Sequence, residues 1–287
     1  MSSAAAPPSV VGVIGGGRMG AGIAQSFAAA GSRVVVVERD GETAAAALER
    51  IATGLRRAAE HGPLAKSSDL DVPDRVITVA SVAELPHEAD LVVEAVPENA
   101  GLKAEVLASA EDVVHDGCVL ASNTSSLSVT ELAAALRRPG RFLGMHFFNP
   151  VPVSALVELV LAPGTDATAL DSVVRWTHSL GKEDVVVKDS PGFASSRLGL
   201  ALGLESIRMV EEGVAEPAAV DKAMRLGYRH PMGPLRLTDV IGLDVRLAIA
   251  DHLHSTLGER FAPPRLLREK VARGELGRKT GQGFYRW

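Results

Sequence analysis

The sequence predicts an α/β fold: a mostly parallel sheet covered by helices on both faces, followed by an all-α C-terminal segment. Three observations carry this. Short β-branched apolar runs alternate with helix-forming stretches from Val10 to about Val187, the pattern of parallel strands joined by helical crossovers. From Phe193 onward the periodicity is helical throughout, broken by Gly213, Gly227, Pro231, Pro234 and Pro263-Pro264. Between these parts lies Asp189-Ser-Pro191-Gly192, a turn-forming segment. It divides the chain into an expected first domain, residues 1–189, and a helical second domain, residues 190–287. At 287 residues, 46% hydrophobic and 23% charged, the chain is long enough for two cores.

Val10 to Ile14 (VVGVI) reads as a buried strand. It runs into Gly15-x-Gly17-x-x-Gly20 and an Ala-rich helix that ends near Gly31. Gly15 suits the tight turn, Gly17 lets a pyrophosphate approach the backbone, and Gly20 permits close packing of helix on strand. The unpaired N–H groups at the start of such a helix favour an anion. A second strand, Arg33 to Val37 (RVVVV), ends at Glu38, where a Rossmann-like fold places a carboxylate on the adenosine ribose hydroxyls. Glu38 would repel a 2′-phosphate, so NAD is the expected cofactor. Arg39 beside it keeps NADP as the alternative.

Beyond Glu38, a polar start at Asp40 opens a long helix to about His61, stopped by Gly62-Pro63. Leu64 to Asp74 reads as an irregular surface connection. Strands are expected at Val76 to Val79, Leu91 to Ala95, Cys118 to Ala121, Phe142 to His146, Val153 to Leu161 and Glu183 to Val187. Helices are expected from about Asn99 to Val114, after the capping-box pattern Ser128-Val-Thr-Glu131, and from a cap at Gly164-Thr-Asp166 to about Gly181.

The composition excludes several classes of function. A net charge of −5 leaves no basic footprint for nucleic acid. No apolar run reaches membrane-spanning length. MSSAAAPPS has neither a basic n-region nor an apolar core, and reads as a leader before the first strand. One cysteine, Cys118 in an apolar run, fits an inert core thiol and a reducing cytoplasm. No histidine has zinc-like spacing with Cys or carboxylates, and His252 and His254 read as a polar helix face, so no metal site is expected.

Three places at strand ends carry candidate chemistry. Ser122-Asn-Thr-Ser-Ser126 offers donors for phosphate, nicotinamide or substrate oxygens, or else a helix cap and ST-turn. His146, ahead of Phe-Phe-Asn149-Pro150, is an imidazole able to take a proton near neutrality. Glu158 sits inside the apolar strand LVELV. Its burial would cost several kcal/mol unless partnered. His146 is twelve residues earlier, with Pro150 and Pro152 to turn the chain between them. A Glu–His pair would satisfy the carboxylate and fix the imidazole tautomer. The other reading is a glutamate that faces solvent.

With these residues in view, the chain resembles the L-3-hydroxyacyl-CoA dehydrogenase family, most closely its short 3-hydroxybutyryl-CoA branch. The resemblance runs from about Val10 to Trp287 through GVIGGGRMGAGIA, SNTSSL, GMHFFNPVPV, VELV, DSPGF, HPMGPLRLTDVIGLD and GRKTGQGFYRW, in that order. It implies an NAD-binding domain followed by a helical dimerisation domain, hence a homodimer. It also implies oxidation of a small acyl thioester, with His146 as base, Glu158 as its partner and Ser125 near the substrate hydroxyl and nicotinamide. Cofactor contacts carry over to Gly15, Gly17, Arg18, Met19 and Gly20, to Glu38 where the family usually has Asp, and to Glu98, Lys103, Asn149 and Lys279. Two departures stand out. The family commonly reads PGFxxNR, with the asparagine on the substrate; here Ser196 takes that place. The helix after Glu38 often supplies a serine and a lysine to coenzyme A, where this chain has Gly54 and His61. A hydroxyacyl group on an acyl carrier protein, a free sugar acid as in L-gulonate dehydrogenases, and a non-catalytic NAD-binding role are the alternatives.

Overall fold

The computed structural model describes residues 6–61 and 75–287. The expected helix stop at Gly62-Pro63, the connection from Leu64 to Asp74 and the first residues of the leader lie outside the described residues. The chain divides into two compact units, Met1–Asp189 and Ser190–Trp287.

The first unit holds an eight-stranded sheet. Its strands are β1 (Val10–Ile14), β2 (Arg33–Val37), β3 (Val76–Val79), β4 (Leu91–Glu94), β5 (Val119–Ser122), β6 (Phe142–Phe147), β7 (Leu156–Leu161) and β8 (Glu183–Lys188). Their order is β3-β2-β1-β4-β5-β6-β7-β8. Every pairing is parallel except β6 with β7. Strand order reverses between β1 and β4, and open α/β sheets bind ligands at the carboxyl ends beside such a reversal. The helices are α1 (Arg18–Ala30), α2 (Gly41–His61), α3 (Ala100–Val113), α4 (Val129–Ala133) and α5 (Ala167–Ser179). A core of Val11, Val13, Ile23, Phe27, Val34, Leu91, Val119, Leu143 and Leu159 fixes the sheet against its helices.

Expected and observed elements differ at their ends for local reasons. The strand expected from Val153 begins only at Leu156. The buried Lys182 ammonium donates to the carbonyls of Val151 (2.6 Å) and Ser154 (2.7 Å), and the amides of Val153 and Ser154 turn back to Pro150. β5 starts one residue late because the Cys118 amide closes a turn on His115. At α4 one half of the capping box forms, Ser128 accepting from the Glu131 amide. Asp166 occupies the N-cap of α5 but makes no side-chain cap bond.

The second unit packs α6 (Ser195–Glu211), α7 (Pro217–Gly227), α8 (Pro234–Ile241), α9 (Leu243–Leu257) and α10 (Arg265–Ala272) around Leu200, Leu204, Leu235, Leu243, Leu253 and Leu267. It is not helical throughout. The last residues form a bridged turn, Gly277 opposite Gln282 and Gln282 opposite Arg286, at a point where Gly277 and Gly281 take positive φ. Buried Asp239 holds this turn, accepting from the amides of Phe284 and Tyr285 and the indole of Trp287. Among the described residues, no helix is long and apolar enough to cross a membrane.

Candidate active site

The site begins at the turn after β1. Gly15 adopts φ +94°, and a Cβ on Gly20 would lie 1.8 Å from the Gly15 carbonyl oxygen. Both positions therefore exclude side chains on grounds of backbone alone. Gly17 is different: it caps α1 with no side-chain cap bond, and a Cβ there would meet nothing within 4 Å. Open space in front of uncapped helical N–H groups fits a pyrophosphate. Arg18 is the exposed first residue of α1, with Met19 half-buried behind it. Glu38, just past β2, accepts the Gly16 amide at 2.6 Å, so its carboxylate stands at the turn. These features fit the adenosine and pyrophosphate of NAD.

The next group gathers at the ends of β4 and β5. One Glu98 oxygen accepts the Thr124 hydroxyl (2.6 Å), the Ser125 and Ser126 amides (3.1 and 3.2 Å) and the Ser126 hydroxyl (3.0 Å). Burial pushes the Glu98 carboxyl upward, but hydrogen bonds from Thr124 and the Lys103 charge outweigh it and hold the group below the usual carboxylate range. The buried Lys103 ammonium donates to a Glu94 oxygen (2.7 Å) and the Val96 carbonyl (3.0 Å), and pairs with the second Glu98 oxygen at 3.2 Å. Glu98 is thus the partner that faces outward.

His146 lies near the carboxyl end of β6, opposite Glu158 in the antiparallel register with β7. Its Nδ1 stands 2.8 Å from Glu158 Oε2. The two residues are 7% and 1% exposed, so the carboxylate that sequence burial left in need of a partner has one. With Nδ1–H directed at the carboxylate, a neutral imidazole carries its lone pair on Nε2. Phe148 packs against the ring at 4.5 Å between centroids. Met19, Glu98, Lys103, Ser125, His146 and Asn149 line a single cavity of about 340 Å³.

Ser196 and Lys279 belong to the second unit. Ser196 is half-buried in the first turn of α6, and Lys279 pairs with Asp244 at 2.6 Å. Sequence reasoning passed over Glu94. Its signal was the one that drew attention to Glu158, a carboxylate inside an apolar strand (LVVE). It also passed over Lys182, which clamps the loop after Asn149-Pro150.

Residues 10–190 match the family described as "3-hydroxyacyl-CoA dehydrogenase, NAD binding domain", and residues 192–287 match "3-hydroxyacyl-CoA dehydrogenase, C-terminal domain". A Bacillus subtilis protein named "Probable 3-hydroxybutyryl-CoA dehydrogenase" is 46% identical over 275 residues, 95% of each chain. The human mitochondrial hydroxyacyl-coenzyme A dehydrogenase is 41% identical over 282 residues, covering 96% of this chain and 90% of its own. The crystal structure of (S)-3-hydroxybutyryl-CoA dehydrogenase from Ralstonia eutropha superposes with a TM-score of 0.92 at 40% identity, covering 98% of this chain and 99% of that one. A sheet reversed at a glycine turn, a buried His–Glu pair and this full-length similarity place the chain in the NAD-dependent 3-hydroxyacyl-CoA dehydrogenase family.

Proposed function

We propose that the chain catalyses reversible oxidation of a short L-3-hydroxyacyl-CoA, above all 3-hydroxybutyryl-CoA, to the 3-ketoacyl-CoA. The observation that carries this is the buried 2.8 Å contact between His146 and Glu158, with His146 on a cavity wall shared with Ser125 and Asn149. NAD, when bound, accepts the hydride that leaves C3. His146 takes the hydroxyl proton on Nε2 as the C3–O bond becomes a carbonyl, and Glu158 balances the imidazolium that results. Ser125 donates to the substrate oxygen. For Ser196 and Lys279 we propose substrate and cofactor contact respectively, on the likeness of PGFASSR and GRKTG alone.

The protein is further read as a cytoplasmic homodimer. Leu198, Leu226, Ile241 and Val245 expose apolar side chains on the second unit, and the one thiol is buried and without a disulfide. One chain per particle in sedimentation would overturn the dimer.

Reduction of acetoacetyl-CoA by NADH tests the reaction, and His146→Ala tests its base. Loss of a general base costs about 10²–10⁴-fold in rate, with NAD affinity nearly unchanged; undiminished turnover would end the assignment. A panel over acyl length, and over coenzyme A, acyl carrier protein and free-acid forms, selects the substrate.

A further inference from the structure

We infer that Glu94, a residue with no expected role in the reaction, is a positioning residue for the nicotinamide half of the cofactor. It ends β4 beside the reversal of strand order, in register with Ile14 of β1 and Ser122 of β5. Its side chain is 0% exposed, so it does not itself present to a ligand.

Every oxygen of this carboxylate is committed. Oε1 accepts the Val96 amide and the Lys103 ammonium, each at 2.7 Å. Oε2 accepts the Ser122 hydroxyl at 2.5 Å. Ser122 in turn accepts the Thr124 amide through its hydroxyl oxygen. Glu94 therefore ties together two chain segments distant in sequence: the strand-to-helix turn that carries Glu98, and the serine-rich turn that carries Ser125.

The electrostatics give the tie its purpose. Lys103 is a buried cation shared between Glu94 and Glu98. A buried charge needs compensation from its immediate surroundings. Glu94 supplies it from within the fold, which leaves the outward Glu98 carboxylate with charge to spend on a ligand hydroxyl. Without the Glu94 charge, the ammonium leans wholly on Glu98 and neutralises the group that faces the cavity. Removing an oriented partner behind a binding group weakens binding without touching the ligand.

The inference rests on the reading of Glu98 as a cofactor contact, and direct NAD titration of the purified full chain separates the two. Glu94→Gln keeps the shape and, with its oxygen toward Val96, the bond from that amide; its NH₂ then donates to the Ser122 hydroxyl oxygen instead of accepting from it, and the charge beside Lys103 is gone. Its Kd for NAD should rise by about tenfold, a step of ~1.4 kcal/mol, while kcat at saturating NAD stays within about threefold of the parent. A folded Glu94→Gln protein whose Kd rises less than about fivefold overturns the inference, because a purely structural Glu94 would lower Tm and leave affinity alone. Glu98→Gln is titrated alongside. Weakened binding there, with none in Glu94→Gln, defeats only the positioning role; unchanged binding in both defeats the reading of Glu98 as well. Should Glu94→Gln fail to fold, Ser122→Ala decides: a Kd raised at least about twofold upholds the tie, and a smaller change overturns it.

Discussion

Replacing Glu158 by Gln isolates charge from shape in the catalytic pair. The amide has the volume of the carboxylate and an oxygen able to accept from Nδ1, so the 2.8 Å contact with His146 can survive. What disappears is the counter-charge to the imidazolium that forms as the substrate proton arrives. With both side chains buried, an effective dielectric of about 20 makes unit charges about 4 Å apart worth ~4 kcal/mol. At 1.36 kcal/mol per decade this is about a 10³-fold loss in kcat. If the amide instead turned its NH₂ toward Nδ1, the ring would adopt the wrong tautomer, and the loss would have the same sign. The assay is initial-rate NADH formation from L-3-hydroxybutyryl-CoA, with NAD affinity and Tm measured on the same preparation. A folded variant with parental NAD affinity that loses less than about tenfold would falsify the electrostatic role and make Glu158 a structural residue.

The two glycine classes at the first turn should separate cleanly. Gly20→Ala sets a Cβ 1.8 Å from a backbone oxygen and should cost ~1–3 kcal/mol or more of stability, read as a lower Tm. At Gly17 an added Cβ meets nothing within 4 Å, so Gly17→Ala should lower Tm far less than Gly20→Ala while weakening NAD binding; intact binding there refutes the pyrophosphate site. Because the Glu98 carboxyl is held below its ordinary value of 4.5, its contribution to stability is complete above that value and is lost as pH falls through the lower folded value. The Tm difference between parent and Thr124→Val should therefore shrink in acid, and a constant difference refutes the assignment. Cys118 is 2% exposed and burial pushes its thiol up to about 12, so iodoacetamide at mildly alkaline pH should label only unfolded protein; rapid labelling of the native state contradicts the buried placement.

What the sequence revealed depended on how local the physics was. The glycine turn is legible because its constraints act over six residues: φ at Gly15 and a backbone clash at Gly20. The His146–Glu158 pair is legible because a carboxylate among aliphatics demands a partner, and one lay across two prolines. Their antiparallel register was not legible, since it depends on how a loop closes in space. Strand ends were misplaced where a distant side chain took the carbonyls, as Lys182 does for Val151 and Ser154. Glu94 obeys the same burial rule as Glu158. Its partners Lys103 and Ser122 lie nine and 28 residues away, in segments that only the folded sheet brings together.

The departure at Gly54 is a packing pair rather than a lone substitution. A Cβ at Gly54 in α2 would lie 2.1 Å from Oε1 of Gln25 in α1, and Gln25 is 5% exposed. The amide fills the space that a side chain at 54 would need. Gly54→Ser, meant to restore the serine that the family often offers to coenzyme A, must displace a buried polar group. The gain in helix propensity, under ~1 kcal/mol, is smaller than the ~1–3 kcal/mol typical of overpacking, so Tm should fall and KM for the CoA thioester should not improve. Trimming the obstruction in Gln25→Ala/Gly54→Ser should recover part of the lost Tm, giving a coupling between the sites. Additive effects of the two changes would mean that Gln25 does not occupy that space. Coupled effects would mean that the Gln25 amide holds that space, so that a side chain at position 54 is accepted only once position 25 is trimmed.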